Sequence, residues 1–380
     1  MARTTCRPGR EATRGFVRCT PRPGTIKRAM YCLLLLRSPD NKLSVPSLME
    51  DETDEEEDDM IDVEMARTAR RAVEQVLALR PGEKVLIITD TGRPVTIARA
   101  LASAVHAAGA EVVVATMITR ETHGVEPPDV IAEAMKVVDA VIMPTSYALT
   151  HTDAVRNALK CGTRFCNFRE INEDMMVCGA VAADYHQVRE IATALAHRMN
   201  EANIARITTP AGTDISMSLA GRTSLVLAGF AQQPGQYGGL PSGEAAIAPV
   251  ERTAKGIMVD PFSMDGIGVI RGPFHLQVEN GKVQKVSGGL EAVKLRGVFD
   301  RNDENAANIA EFAIGANPAA RITGVINEDK RRIGTVHIAV GDNMTLGGRV
   351  RSNIHYDILF FDPTVQLDDE TVVESGKLVI

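Results

Sequence analysis

The sequence predicts a two-part protein: an N-terminal parallel-sheet α/β domain followed by a mainly β (α+β) domain. Three observations predict it. Short apolar runs alternate with helical patterns from residue 66 to about residue 200. Period-two alternation and turn residues dominate after residue 203. A chain of 380 residues and 40.9 kDa also exceeds the usual size of one hydrophobic core.

The first part reads element by element. Residues 65–79 have helical periodicity, and 84–89 (Lys-Val-Leu-Ile-Ile-Thr) form a short apolar strand. Residues 95–108 are an Ala-rich helix closing at Gly109, and 111–116 (Glu-Val-Val-Val-Ala-Thr) are the next strand. A helix over 129–136 then leads to a strand at 140–143, a helix over 152–159 leads to a strand at 163–166, and a last helix covers 185–200. Near-continuously apolar strands in this order imply a parallel sheet covered on both faces. The turn after the first strand, Asp90-Thr91-Gly92-Arg93-Pro94, has neither the spaced glycines of a dinucleotide fingerprint nor a phosphate-loop Gly-Lys-Ser/Thr, so it reads as a plain connection.

The second part is strand-rich. Residues 214–219 alternate with period two, and 274–278 join 283–286 through Asn280-Gly281, a strong hairpin signal. The best helical pattern here is 304–312. The organisation expected is an extension over 1–64, disordered or lying ahead of the true start, an α/β domain over 65–202 and a β-rich metal-binding catalytic domain over 203–380.

Charge and composition exclude several functions. The net charge of −7 hides a split: +8 over residues 1–49, −11 over 50–64, and only −4 over the remainder. A mildly acidic body predicts no nucleic-acid partner. Aromatics are 4 % with no Trp, which excludes an aromatic stacking platform. The apolar run at 29–36 is too short to span a bilayer, so no membrane association is expected. Cys6, Cys19 and Cys32 lie in the extension, and Cys161, Cys166 and Cys178 in the body. An odd trio argues for buried free thiols in a reducing, cytoplasmic setting.

The second part carries the chemistry. In Ile354-His355-Tyr356-Asp357-Ile358-Leu359-Phe360, a strand places His355 and Asp357 on one face and Ile354, Tyr356 and Ile358 on the other. In Gly334-Thr335-Val336-His337-Ile338-Ala339-Val340-Gly341, Val336, Ile338 and Val340 fill one face, and His337 shares the other with small residues that leave room for an ion. Glu311 falls in the last turn of the predicted helix, where the negative helix end calls for a positive neighbour. Glu244 enters an apolar stretch behind Gly243, which permits close backbone approach.

These residues carry a resemblance. Gly-Glu-x-x-x-x-Pro at 243–249, Glu-x-x-x-Gly-x-Asn-Pro at 311–318, Gly-Thr-x-His-x-Ala-x-Gly at 334–341 and His-x-Asp at 355–357 follow the order of the thermophilic metalloaminopeptidases, the family of aminopeptidase T and leucyl aminopeptidase. The resemblance spans residues 66–380. It implies a homodimer that releases N-terminal amino acids from small peptides. It also implies two divalent ions (Zn, Co or Mn) held by Glu244, Glu311, His337, His355 and Asp357. Three carboxylates and two imidazoles without cysteine suit a catalytic pair of ions better than a closed structural zinc site. The family's tyrosine seven residues past the motif histidine is Met344 here. A stretch from Ala211-Gly212-Thr213-Asp214 through Pro241-Ser242-Gly243 is similar instead to 2,5-dihydroxypyridine 5,6-dioxygenase. That resemblance implies one non-haem Fe(II), a small-molecule ring substrate and a shared His-x-Asp, with the enzyme's other histidine at the position of Glu311. A facial triad there would be His337, His355 and Asp357.

Overall fold

The computed structural model describes residues 61–150 and 152–380, and the expected extension lies outside them except for its last four residues. Those four open the helix Ile61–Arg71, which continues through a wider turn, Ala72–Val76, where the Leu77 amide donates to the Ala72 carbonyl at 3.0 Å. The strands in chain order are β1 Lys84–Asp90, β2 Glu111–Met117, β3 Ala140–Met143, β4 Arg164–Asn167, β5 Ile204–Thr208, β6 Asp214–Ser218, β7 Leu225–Leu227, β8 Tyr237–Gly239, β9 Glu244–Ile247 and β10 Lys255–Val259. They continue with β11 Ser263–Met264, β12 Gly268–Val269, β13 Phe274–Glu279, β14 Lys282–Gly288, β15 Ile309–Gly315, β16 Val336–Gly341, β17 His355–Phe360, β18 Thr364–Leu367, β19 Glu370–Glu374 and β20 Lys377–Leu378.

Five strands form a parallel sheet in the order β2-β1-β3-β4-β8. Its central strands are buried on both faces. Val85 and Ile87 of β1 pack with the helices Ile61–Arg71 and Val95–Ala107, while Leu86 and Ile88 pack with Asp129–Met135 and Asp153–Lys160. This is the doubly covered sheet that the apolar runs predict. At the carboxyl end of β1, the buried Asp90 carboxylate accepts hydrogen bonds from the amides of Gly92 and Ser146 and the hydroxyls of Thr119 and Ser146. The turn there is a self-satisfied connection.

The remaining strands form two antiparallel sheets, one ordered β14-β13-β10-β6-β5-β18-β19-β20 and the other β12-β11-β17-β16-β15-β9-β7. They enclose one core, to which the first contributes Ile207, Ile215, Met258, Leu276 and Val365 and the second Ile247, Phe312, Ile338 and Ile358. The predicted hairpin joins β13 to β14, with Asn280 and Gly281 at φ 52° and 73°.

The helix assignment in this half is corrected. The helix lies at Leu290–Arg301, and residues 309–315, expected to lie at the end of a helix, form β15. β15 is a central strand, paired antiparallel to β9 on one side and β16 on the other. Phe312 and Ile314 enter the core between the sheets, each worth about 1.5–3 kcal/mol of apolar burial, and this outweighs the local helical pattern.

Candidate metal centre

One face of the seven-stranded sheet is apolar, and the opposite face carries every residue singled out as a metal ligand. The alternation is that of the strands themselves: Val336, Ile338 and Val340 face the core, so His337 and Ala339 face away, and the same parity on β17 turns His355 and Asp357 away from Ile358 and Phe360. Register completes the set. Ala339 stands opposite Glu311 on one neighbour and opposite Asp357 on the other. His337 stands opposite Ala313, His355 opposite Gly341, and Glu244 opposite Gly315. Alanine and glycine therefore separate the polar groups laterally, which keeps the space above the sheet open.

Gly243 aims Glu244. It has φ +128°, and a Cβ there would lie 2.8 Å from both Asn317 Cβ and Val188 Cγ1, so only glycine lets the chain pass into β9. Asn317 is fixed in turn, its amide donating to the carbonyls of Ala180 and Ser242.

The five side chains converge. Glu311 lies between the imidazoles, with Oε2 at 2.8 Å from His355 Nε2 and Oε1 at 3.4 Å from His337 Nε2. Asp357 Oδ1 lies 3.4 Å from His355 Nε2 and 4.0 Å from His337 Nε2, and Glu244 Oε2 lies 3.9 Å from His337 Nε2. Two ligand groups result, Glu244–Glu311–His337 and Glu311–His355–Asp357, with donor atoms in each within 4.8 Å of one another. The side chain of His337 is fully buried, whereas that of His355 retains 20 % exposure, so the centre is reached at its His355 end. His355 Nδ1 lies 2.7 Å from the Asp342 carbonyl, to which it can only donate, and this aims Nε2 into the site.

The expected positive neighbours of Glu311 are thus the two histidines, not a compensating charge at a helix end. Burial raises the Glu311 carboxyl, but the imidazoles of His337 and His355 more than offset this and hold it well below the ordinary range. Burial likewise disfavours the His355 imidazolium, yet Asp357 and Glu311 raise it well above the ordinary value. Asp357 is held well below the usual carboxylate range because Lys330, His337 and His355 outweigh its burial.

Lys330 and Arg331 are functional neighbours that sequence reasoning missed. The Lys330 ammonium donates to Asp357 Oδ2 at 2.5 Å and lies 3.9 Å from Glu244 Oε1, with which the Arg331 guanidinium also pairs. Asp265 backs Asp357, donating its amide to the Asp357 carbonyl at 2.9 Å, and Arg169 lies 3.6 Å from the Asp265 carboxylate. Burial pushes the Asp265 carboxyl up to about 6 against the pull of Arg169, with the Asp357 charge adding to the rise.

The donor set fits a divalent cation. Glu244 Oε2, Asp357 Oδ1 and both ring nitrogens of His337 are buried without any hydrogen-bond partner. Orphaned buried polar atoms of this kind are costly, and Glu244 Oε2 and Asp357 Oδ1 lie 3.9 Å and 4.0 Å from His337 Nε2. A cation held by the carboxylate oxygens and imidazole nitrogens of either ligand group would satisfy the orphaned atoms of that group. The other candidate features do not form sites. Cys161, Cys166 and Cys178 form no disulfide among the described residues, Cys166 being buried as expected but Cys161 exposed and Cys178 half-buried. Met344 is 51 % exposed on a short turn outside the cluster. No helix among the described residues is long and apolar enough to cross a membrane.

Comparison with known proteins corrects the expected activity. A 2,5-dihydroxypyridine 5,6-dioxygenase of Pseudomonas putida KT2440 is 26 % identical over 264 residues, which cover 65 % of this chain and 72 % of the relative. The structure of 2,5-dihydroxypyridine dioxygenase from the same organism superposes with a TM-score of 0.72 at 20 % identity, covering 84 % of this chain and 97 % of that one. Wild-type AmpT from Thermus thermophilus superposes with a TM-score of 0.60 at 17 % identity, over 84 % of this chain and all of that one. At such identities these superpositions establish the shared fold alone. The aminopeptidase reading and its hydrolase chemistry are overturned by the sequence relationship, which runs to the oxygenase. The profile of the NicX family, 2,5-dihydroxypyridine 5,6-dioxygenase, matches residues 65–380, and the chain belongs to that family of enzymes.

Proposed function

We propose that this protein is a metal-dependent ring-cleaving dioxygenase acting on a hydroxylated pyridine or a close analogue. The observation that carries the reading is the convergence of unpartnered donor atoms from Glu244, His337 and Asp357 beside Glu311 and His355, in a chain of this family. The ion it would hold is ferrous iron, which when bound supplies the one-electron chemistry that lets dioxygen react with an electron-rich ring.

The chain's own residues do the rest. Asp342 fixes the His355 tautomer through its carbonyl, so that Nε2 is presented to the ion. The carboxylates of Glu311 and Asp357 lie beside this imidazole and are already ionised, so they bind without first losing a proton. Lys330 and Arg331 neutralise the outer oxygens of Asp357 and Glu244. Ala313, Ala339 and Gly341 leave the face of the sheet low, and the partly exposed edge of His355 is where a flat ring gains access.

Oxygen uptake tests this. Protein reconstituted anaerobically with Fe(II) is mixed with 2,5-dihydroxypyridine in air-saturated buffer, and uptake is recorded beside the ring absorbance. Consumption of one dioxygen per ring, with loss of the aromatic band, is the expected result. Fully iron-loaded protein that consumes no oxygen with hydroxylated pyridines overturns the reading.

A further inference from the structure

Each of two carboxylates at the centre is divided in the same way. Asp357 Oδ2 is held by Lys330 at 2.5 Å, while Oδ1 has no partner and faces the two imidazoles. Glu244 Oε1 is paired by Arg331 and lies 3.9 Å from Lys330, while Oε2 has no partner and faces His337. One oxygen of each is neutralised, and one is left for a metal. Glu311 differs, since its two oxygens face one imidazole each.

The charges are decisive. Glu244, Glu311 and Asp357 bring −3, and Lys330 and Arg331 return +2 within the same buried cluster. One divalent ion leaves this cluster at +1, whereas two would leave it at +3 with a lysine ammonium held against one of the ligands. Like charges at contact distance in a poorly solvated interior repel strongly.

We propose that Lys330 is a resident counter-ion standing where a second metal would otherwise sit: its ammonium on Asp357, next to the Arg331 guanidinium on Glu244, leaves each carboxylate as a one-oxygen ligand and limits the centre to a single divalent ion. This rests on the metal-centre reading above. Lys330 is here a positioning residue, because it acts through Asp357 and Glu244 and not on the substrate. Once it is removed, Asp357 Oδ2 is released as a donor while Arg331 still pairs Glu244 Oε1, and Glu311 remains common to both ligand groups.

The test uses Mn(II) alone as the probe, with the full chain stripped by chelator and read by elemental analysis and electron paramagnetic resonance. The wild type and Lys330→Arg should take one Mn(II) per chain and give the six-line signal of an isolated ion. Lys330→Gln should take two and give the multiline signal of an exchange-coupled pair. Lys330→Met, which keeps the buried stem, is read in its place if the Gln variant does not fold. A wild type that binds a coupled pair overturns the proposal and leaves the metal centre standing, as does a Lys330 variant that remains at one ion. Wild-type protein that binds no Mn(II), Zn(II) or Fe(II) overturns the proposal and the metal-centre reading together. The wild-type count decides between one and two ions even if neither neutral variant folds.

Discussion

His355 and Glu311 meet at 2.8 Å, Nε2 to Oε2, from strands separated by β16, while the other oxygen of Glu311 reaches toward His337 on that intervening strand. Glu311 is therefore shared by both ligand groups, and the centre depends on it more than on any other single carboxylate. Glu311→Gln preserves shape and removes the charge. Changes to outer partners of ligands alone cost about 10–100-fold in metal affinity, so Glu311→Gln is expected to weaken metal binding by about 100-fold or more, measured by competition with a chromophoric chelator. A loss below threefold would exclude Glu311 as a ligand.

Metal binding should release a proton. In the metal-free protein, Asp357 and Glu311 raise His355 well above its ordinary value and keep it protonated at neutral pH. A cation must displace that proton to reach Nε2, so affinity should fall as pH is lowered. Calorimetry in buffers of differing ionisation enthalpy reads the released proton directly, and His355→Ala should abolish that part of the heat.

Asp265 gives a pH dependence of opposite origin. Its carboxyl is raised by burial from 3.8 to about 6, so the folded state binds the proton more tightly than the unfolded one. Its contribution to stability is present below pH 4 and is lost as pH rises through 6. A rise of this size corresponds to about 3 kcal/mol. Urea unfolding of metal-free protein at pH 4 and pH 7 should show the wild type losing this amount relative to Asp265→Asn. Parallel behaviour of the two proteins would contradict the assignment.

Gly243→Ala should destabilise the fold. The added Cβ meets Asn317 and Val188 at 2.8 Å in a backbone conformation that L-residues rarely adopt. Strain and overpacking of this kind cost about 1–3 kcal/mol each, and a lowered unfolding midpoint should accompany weaker metal binding because β9 starts at Glu244.

What was legible in the sequence was whatever a single strand decides locally. Period-two parity in 336–341 and 355–360 placed His337, His355 and Asp357 on one face without knowledge of any neighbour, and Gly243 marked the close approach beside Glu244. The doubly covered parallel sheet was equally local, because its apolar runs need no partner to be recognised. Glu311 was misplaced because Glu-Asn-Ala-Ala-Asn-Ile-Ala-Glu-Phe reads as a helix until β9 and β16 pair with it from both sides. Lys330 and Arg331 were passed over because Glu328-Asp329-Lys330-Arg331-Arg332 has the composition of a solvated surface. Remote partners bury it instead: the Ala180 amide donates to Glu328, the Thr323 amide to Asp329, and Asp357 and Glu244 receive the two cations.

The claim on which everything else depends is that this buried cluster is a metal centre. It is tested most directly by elemental analysis of protein purified without oxygen or chelator, beside His355→Ala prepared identically. One iron per chain in the wild type, absent from the variant, is the predicted result; wild-type protein that carries no metal and takes up none on reconstitution would contradict it.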